Sequence, residues 1–419
     1  MIELGERTSM KALAERARQA SVALRSVTEE QKIRAIQAAA RGLLTHGDEI
    51  LAANARDVAA ATASGMGSAK IDRLTLTPSR LREMVTGLDE VALLPDPIGR
   101  ITDESVAPSG MRVHRVRVPL GVVLFIYESR PNVTSDAAAI CLKASNAVIL
   151  RGGKEAKESN AAIVAVLSAA LASEGLPADA IQTVPQYDHE SVNELLGMQG
   201  LIDLVIPRGG ETLIRAVAEH SKIPVLKHFL GNCHVYVDAA ADLAMAEDIV
   251  HNSKVQRPAV CNAAEKLLVH ADVAAEFLPR VASRMSTVEL RGDDAARQIL
   301  PGARPATEQD WYEEYLDLVM AVKVVSGVDE AIQHVNQYSS AHTDTIVTAD
   351  EAAARRFLRE VDSATVLWNA STRMADGGQF GLGAEIGIST DKLHARGPMG
   401  VQELTSYKWV VIGDGQIRG

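Results

Sequence analysis

Gly121-Val122-Val123-Leu124-Phe125-Ile126-Tyr127 is the stretch whose reading decides the fold. It carries no charge and no apolar–polar alternation, so it reads as a strand covered on both faces, as in a parallel sheet flanked by helices. The loop Glu128-Ser129-Arg130-Pro131-Asn132 follows, and a helix is predicted to begin near Ser135-Asp136. Ala147-Val148-Ile149-Leu150 repeats the theme, leading through Arg151-Gly152-Gly153-Lys154 into a helix that runs to Leu171. Leu201 to Ile206 is a third strand, and Pro207-Arg208-Gly209-Gly210-Glu211-Thr212 opens a third helix. Val225–Leu226 and Val235–Val237 read as further short strands. Strand, glycine turn and helix in succession describe a doubly wound α/β sheet.

The glycine turns bear on chemistry. At the carboxyl end of a strand they let backbone approach a ligand, and a helix N-terminus presents N–H groups to a phosphate. Arg151 and Lys154 add cations beside one turn, while Gly209 and Gly210 open the other. Neither turn is a G-x-G-x-x-G fingerprint, so the pattern admits a dinucleotide site and a solvated loop alike.

Upstream, Met10 to Ala63 is alanine-rich and helical, and is read as a hairpin of helices closed by Gly65 and Gly67. Thr28 with Gln31 makes a capping box, after which Ile33, Ile36, Ala40, Leu43 and Leu44 recur at helical spacing. A helix over about Ser79–Val91 follows Pro78. Met111 to Val118 alternates apolar and basic residues, as in a strand with one charged face, and His114 falls on that face as a surface residue. Downstream, helices are predicted near 271–286, 328–335 and 349–361, and strands near 318–325, 343–347, 364–368 and 406–412. Between the last two strands lies a long glycine-bearing loop, Asn369 to Gly400, of the kind that is usually functional or disordered.

The net charge of −11 over 419 residues argues against a nucleic-acid surface, which needs clustered cations. No stretch is apolar for long enough to span a bilayer and no basic-then-apolar leader opens the chain, so a cytoplasmic location is expected. Cys141, Cys233 and Cys261 form no C-x-x-C spacing and read as free thiols. Cys141 lies in an apolar run and is a packing residue. Cys233 sits in the loop-like Gly231-Asn232-Cys233-His234. Cys261 ends His251-Asn252-Ser253-Lys254-Val255-Gln256-Arg257-Pro258-Ala259-Val260-Cys261, where Lys254 and Arg257 offer positive charge and Pro258 stiffens the approach. Cations favour the thiolate, the reactive form, so Cys261 is the candidate nucleophile; a small buried apolar residue is the alternative.

Three long windows carry a resemblance. They are Val118-Pro119-Leu120-Gly121 through Tyr127-Glu128-Ser129-Arg130-Pro131-Asn132-Val133-Thr134 with Asn146 to Ala156, Val255 to Ala263, and Trp368 to Gly400. Together they resemble the γ-glutamyl phosphate reductases (glutamate-5-semialdehyde dehydrogenases) of the aldehyde dehydrogenase superfamily. The resemblance implies a Rossmann-type cofactor domain, an α/β catalytic domain and a small β oligomerisation flap. The corresponding ranges are 1–230 with a flap strand near 111–118, then 231–383, then 384–419 returning to the cofactor domain with a second flap strand. It implies at least a homodimer, and a homotetramer equally, with the glutamate kinase that makes the substrate as a further partner.

The resemblance also assigns roles. Cys261 matches the nucleophile, Arg151 the adenosine-ribose contact, Gly209-Gly210 the pyrophosphate turn, and Glu314 a glutamate on the nicotinamide ribose, with a solvated helix acid as the alternative. Lys154 stands where NAD-preferring relatives carry a glutamate, which points to NADPH. Asn132 is the candidate oxyanion donor, with Ser129 an alternative. Arg257 and Arg373 are candidates for the substrate's carboxylate or phosphate, or else form ion pairs. Hydrolytic relatives carry a water-activating glutamate where this chain reads Val225-Leu226-Lys227-His228-Phe229-Leu230-Gly231, without a carboxylate. The implied reaction is reduction of γ-glutamyl phosphate to glutamate 5-semialdehyde through a cysteine thioester, in proline biosynthesis. The alternatives are oxidation of another aldehyde with NAD(P) and a non-catalytic binding protein on the same scaffold.

Overall fold

The computed structural model describes residues 9–418; residues 1–8 of the expected cofactor-binding region, and Gly419, lie outside them. The chain divides into two compact units, one running to Lys227 and taking back Gly381–Gly387 and the segment from Met399, the other comprising His228–Phe380 and Ile388–Pro398.

The first unit is built on a four-stranded parallel sheet in the order Ile181–Thr183, Ala147–Arg151, Val122–Tyr127, Leu204–Arg208. Every residue of the Val122–Tyr127 strand is buried, as its uninterrupted apolar run requires. Packed with this sheet are three N-terminal helices, Met10–Leu24, Glu29–Thr45 and Gly47–Ala63, where the periodicity suggested a hairpin. The extra break falls at His46, which ends one helix and caps the next, with Gly47 as the first residue of the new helix and no loop between them. The Thr28 capping box is present, Gln31 N–H donating to Thr28 Oγ1 at 3.3 Å and Thr28 N–H to Gln31 Oε1 at 3.0 Å. The helix after the first sheet strand begins at Pro131, earlier than the expected Ser135. Proline suits the first helical position because the N–H it lacks would be unpaired there. Asn132 is therefore in a helical first turn and not in a loop.

A separate antiparallel sheet of the same unit has Arg112–Pro119 between Ile101–Val106 and Thr405–Ile412. The Ile101–Val106 strand, Ile-Thr-Asp-Glu-Ser-Val, is exposed throughout and has no apolar alternation to betray it. His114 is mostly covered, its Nε2 lying 3.1 Å from Glu104 across the strand pair. Arg115 stacks over the ring of Tyr407. Asn146 ties this sheet to the parallel one. Its Nδ2 donates to the Leu404 carbonyl at 2.8 Å and its Oδ1 accepts the Gly121 N–H at 2.9 Å, all in the buried interior.

The second unit carries a seven-stranded, wholly parallel sheet. Its order is Arg304–Pro305, Glu289–Gly292, Val319–Val325, Ala264–His270, Cys233–Val237, Thr343–Val347, Thr365–Trp368. Side chains alternate across it: Val235, Val237, Leu267 and Val269 join Phe277 and Val281 on one face, while Tyr236, Leu268 and Ile346 join Phe357 on the other. No helix among the described residues is long and apolar enough to cross a membrane. Replacing Asn146 by Leu leaves the Gly121 N–H and the Leu404 carbonyl buried and unpaired, at about 1–3 kcal/mol each. The urea midpoint of Asn146→Leu is expected to fall accordingly, with the m-value unchanged.

Candidate active site

Cys261 lies on the turn between the Leu243–Val255 helix and the Ala264–His270 strand, partly exposed. The turn is closed by the Ala263 N–H donating to the Val260 carbonyl at 3.0 Å, and Asn262 Nδ2 donates to the Ala375 carbonyl at 3.0 Å. Beneath it runs Gly231. A Cβ added there would come within 1.9 Å of the Cys261 carbonyl oxygen and 2.5 Å of its Cα, so only glycine lets the two backbones pass. Glu314 holds that glycine by accepting its N–H at Oε1, 2.8 Å away. Glu314 lies past the end of the Glu308–Tyr312 helix, so it is not a helix acid.

Cys233 is not in a loop. It is the first residue of its strand, fully buried, and its thiol donates to the Cys261 carbonyl at 3.2 Å. Burial raises its pKa well above the ordinary thiol value, so it stays neutral. Cys141 is likewise buried, its thiol pushed far up by desolvation. Of the three thiols only Cys261 reaches solvent.

Two imidazoles flank Cys261, and neither was singled out from the sequence. One ring nitrogen each of His228 and His342, together with Cys261 Sγ, lie within 4.8 Å of one another. The two rings meet edge to face, 5.4 Å between centroids. His228 Nδ1 lies 2.9 Å from the Ile388 carbonyl, an acceptor only, so Nδ1 carries the proton and Nε2 is left as the basic nitrogen. His342 Nδ1 lies 2.8 Å from Thr343 Oγ1. The residue before it, Ala341, has a left-handed backbone (φ 58°), costly for a non-glycine residue and found where neighbouring structure fixes a side chain.

Lys254 does not supply the charge expected of it. Its Nζ sits 2.7 Å from Glu265 Oε2, both side chains fully buried. Burial pushes the Lys254 ammonium down against the attraction of Glu265, and burial pushes Glu265 up to about 7. Arg373 is the cation that senses Cys261. Burial and then the neighbouring Arg257 lower its pKa, while Asp376 and charge on Cys261 raise it. Its Nε donates to Gln256 Oε1 at 2.9 Å, and Arg257 is exposed. Arg373 thus couples electrostatically to both Arg257 and Cys261, while Lys254 is committed to an internal pair with Glu265.

In the first unit, Arg151 Nη2 donates to the Tyr187 carbonyl at 2.9 Å and the guanidinium lies over the Tyr187 ring, its pKa lowered by burial. Lys154 is exposed at the start of a short turn. Ser129 gives both its N–H and its hydroxyl to Glu155. Asn132 is exposed, its Nδ2 3.2 Å from Asp136, whose carboxyl burial raises to about 6. The Gly209-Gly210 turn fits a phosphate. Gly210 opens on free space at the start of the ten-residue Glu211–His220 helix, with no side chain capping it, whereas a Cβ on Gly209 would press within 2.7 Å of Glu128.

A solvent-reaching thiol flanked by imidazoles, on a chain that also offers a glycine-lined phosphate turn, is the equipment of a thiol-dependent nicotinamide dehydrogenase. The aldehyde dehydrogenase family model matches residues 1–309 and 305–410, and the chain belongs to that family. It is 53% identical over 97% of its length, and 98% of the relative's, to a γ-glutamyl phosphate reductase of Geotalea daltonii. The same identity holds to one of Geobacter metallireducens, over 98% of each chain. The crystal structure of γ-glutamyl phosphate reductase from Thermotoga maritima superposes with a TM-score of 0.96 at 45% identity, over 98% of this chain and 100% of that one.

Gly231→Ala is expected to displace the Cys261 turn, costing about 1–3 kcal/mol as other overpacked sites do. It should also change the alkylation rate of Cys261 by iodoacetamide, while Cys141 and Cys233 stay protected in both proteins. Lys254→Met leaves Glu265 buried without its partner, so a loss of about 3–5 kcal/mol is expected; the double variant Lys254→Met with Glu265→Leu should recover most of it in thermal unfolding.

Proposed function

We propose that this protein reduces γ-glutamyl phosphate with NADPH, giving glutamate 5-semialdehyde and inorganic phosphate, as a step of proline biosynthesis in the cytoplasm. The observation that carries the reading is the site around Cys261: a solvent-reaching sulfur with an oriented imidazole beside it, and no carboxylate in the Val225–Gly231 segment.

The chemistry follows from the side chains. His228 Nε2 takes the thiol proton, and the thiolate attacks the acyl carbon of the substrate. A carbon–sulfur bond forms, the carbon–oxygen bond to phosphate breaks, and His228 returns the proton to the departing phosphate. The acyl group is then a thioester on Cys261. The reduced nicotinamide supplies a hydride when bound. Collapse of the resulting thiohemiacetal breaks the carbon–sulfur bond, frees the aldehyde and restores the thiolate. Each turnover thus consumes one proton, delivered through His228. The Val225–Gly231 segment holds no carboxylate of the kind that activates water in hydrolytic relatives, so reduction wins over hydrolysis. The Cys261 backbone N–H and Asn132 are the proposed oxyanion donors, each worth about 3–4 kcal/mol in comparable sites. Arg257 and Arg373 hold the substrate's carboxylate or phosphate, which arginine binds in bidentate fashion.

On the cofactor side, Gly209-Gly210 receive the pyrophosphate, Arg151 and Glu314 the two riboses, and the exposed Lys154 the 2′-phosphate that distinguishes NADPH. Residues up to 230 with 384–419 form the cofactor-binding region and 231–383 the catalytic one. The Arg112–Pro119 and Thr405–Ile412 strands, with Tyr407 and Trp409 more than half exposed, support assembly into a homodimer or homotetramer. The kinase that makes the acyl phosphate is the proposed upstream partner.

The test runs the reaction backwards. Glutamate 5-semialdehyde, phosphate and NADP should generate reduced-nicotinamide absorbance, and omission of phosphate should abolish it. Cys261→Ser should lose the signal with its fold intact, and persistence of turnover would refute the reading. His228→Ala should lower kcat by about 10²–10⁴-fold. Lys154→Glu should raise the KM for NADP by at least tenfold, a charge reversal being worth at least about 1.4 kcal/mol at a phosphate contact, while sparing NAD.

A further inference from the structure

We propose that Cys261, His228 and His342 form a reversible inhibitory site for a borderline-soft divalent cation of the zinc class. Zinc is bound by thiolate sulfur and imidazole nitrogen, and a site of three protein ligands leaves a fourth position for water. The three donor atoms here lie within 4.8 Å of one another. Metal–ligand bonds of about 2.0–2.3 Å require donors about 3.3–3.8 Å apart, so closing the set needs a movement of about 1 Å. His228 and Cys261 are both partly exposed and can make it, while His342 is buried and fixed.

The surroundings are those of a built site. Metal-binding histidines characteristically engage their second ring nitrogen with a carbonyl or similar group, which sets the tautomer and the ring plane. His228 does so at 2.9 Å to the Ile388 carbonyl, and His342 at 2.8 Å to Thr343 Oγ1. No carboxylate joins the donor set, which disfavours magnesium and calcium, cations that take oxygen ligands. Cys233 stays outside it: its thiol is buried, 3.9 Å from His342 Nδ1, and already donates to the Cys261 carbonyl.

Binding displaces one proton: the Cys261 S–H bond breaks, a sulfur–metal bond forms, and the proton leaves to buffer. No oxidation state changes. The captured sulfur cannot attack an acyl carbon, so metal and acyl group exclude one another. The site stands on the three side chains whether or not the proposed reaction is the physiological one, and its test is therefore spectroscopic.

Reduced full-length protein, freed of reductant, is titrated anaerobically with cobalt(II) chloride. The expected result is one equivalent bound, with visible bands of a tetrahedral ion and a thiolate-to-cobalt charge-transfer band in the near ultraviolet, both erased by zinc and by a chelator. Cys261→Ser should lose the charge-transfer band, and His228→Ala should weaken binding at least tenfold. Absence of a saturable charge-transfer band overturns the proposal. So does an undiminished band in Cys261→Ser, which would put the metal on another thiol. Loss of catalysis in these variants alone bears on the proposed reaction and not on the metal site.

Discussion

The passage of one backbone beneath another, Gly231 under the Cys261 peptide, is the constraint on which the site depends. Two peptide segments that close leave no volume for a methyl group, and the approach is locked from both sides. Glu314 draws in the Gly231 N–H, while the Cys233 thiol draws in the Cys261 carbonyl. These are ordinary hydrogen bonds, each contributing about 0.5–3 kcal/mol net. Their value is positional. A nucleophile misplaced by an ångström loses orders of magnitude in rate, and these contacts act on its own main chain, where no rotamer change can evade them.

Below this clamp lies a layer of buried polar groups at the amino ends of the parallel strands. His234 N–H donates to Asp344 Oδ1 at 2.8 Å, and Ser339 and Ser363 both donate to Asp344 Oδ2. Lys266, pushed down to about 7 by burial, gives its proton to the Glu313 carbonyl at 2.6 Å and lies over the Tyr315 ring. Lys254 and Glu265 complete the layer. Desolvation works against the charged forms of Lys254, Glu265 and Lys266, so this layer is a costly way to obtain stability. What it offers is direction. Hydrogen-bonded charges tolerate few alternative packings, which keeps the ends of the Cys233, Ala264 and Thr343 strands in one register around the sulfur. Doubly wound sheets usually bind ligands beyond the carboxyl ends of their strands. In this unit the solvent-reaching thiol of Cys261 lies at the amino ends instead, where the turn from the Leu243–Val255 helix arrives.

This division explains what could be read in advance. Strands buried on both faces by an uninterrupted apolar run announce themselves, and Val122–Tyr127 and Ala147–Leu150 were found that way. Ile101–Val106 could not be: it holds its place by pairing with Arg112–Pro119, and an exposed strand has no composition to satisfy. The setting of cations and proline made Cys261 a candidate beside the alternative of a packed core residue, and sequence distance cannot tell that Lys254 turns inward to Glu265. His342 left only a faint trace, a histidine opening a buried strand after a short polar stretch. Its meaning comes from strand order, which puts Thr343–Val347 beside Cys233–Val237 and so within reach of the Cys261 turn.

His228 falls in the Val225–Gly231 segment, which carries no carboxylate, though nothing in the sequence singled it out, and an imidazole beside the sulfur differs in its chemistry from a carboxylate. A carboxylate beside the sulfur is an acceptor only. It can take a proton from water but adds a negative charge next to a substrate that is already an anionic acyl phosphate. An imidazole with its Nδ1 proton committed to a carbonyl has Nε2 to accept one proton, and the ring is then positive when an anionic phosphate must depart. The protonated imidazole is a cation facing the anionic leaving group, whereas a protonated carboxylate is only neutral. Imidazole nitrogen and cysteine sulfur are also the donors that a zinc-class cation seeks, so the atoms proposed to release phosphate are ones that such a cation can capture.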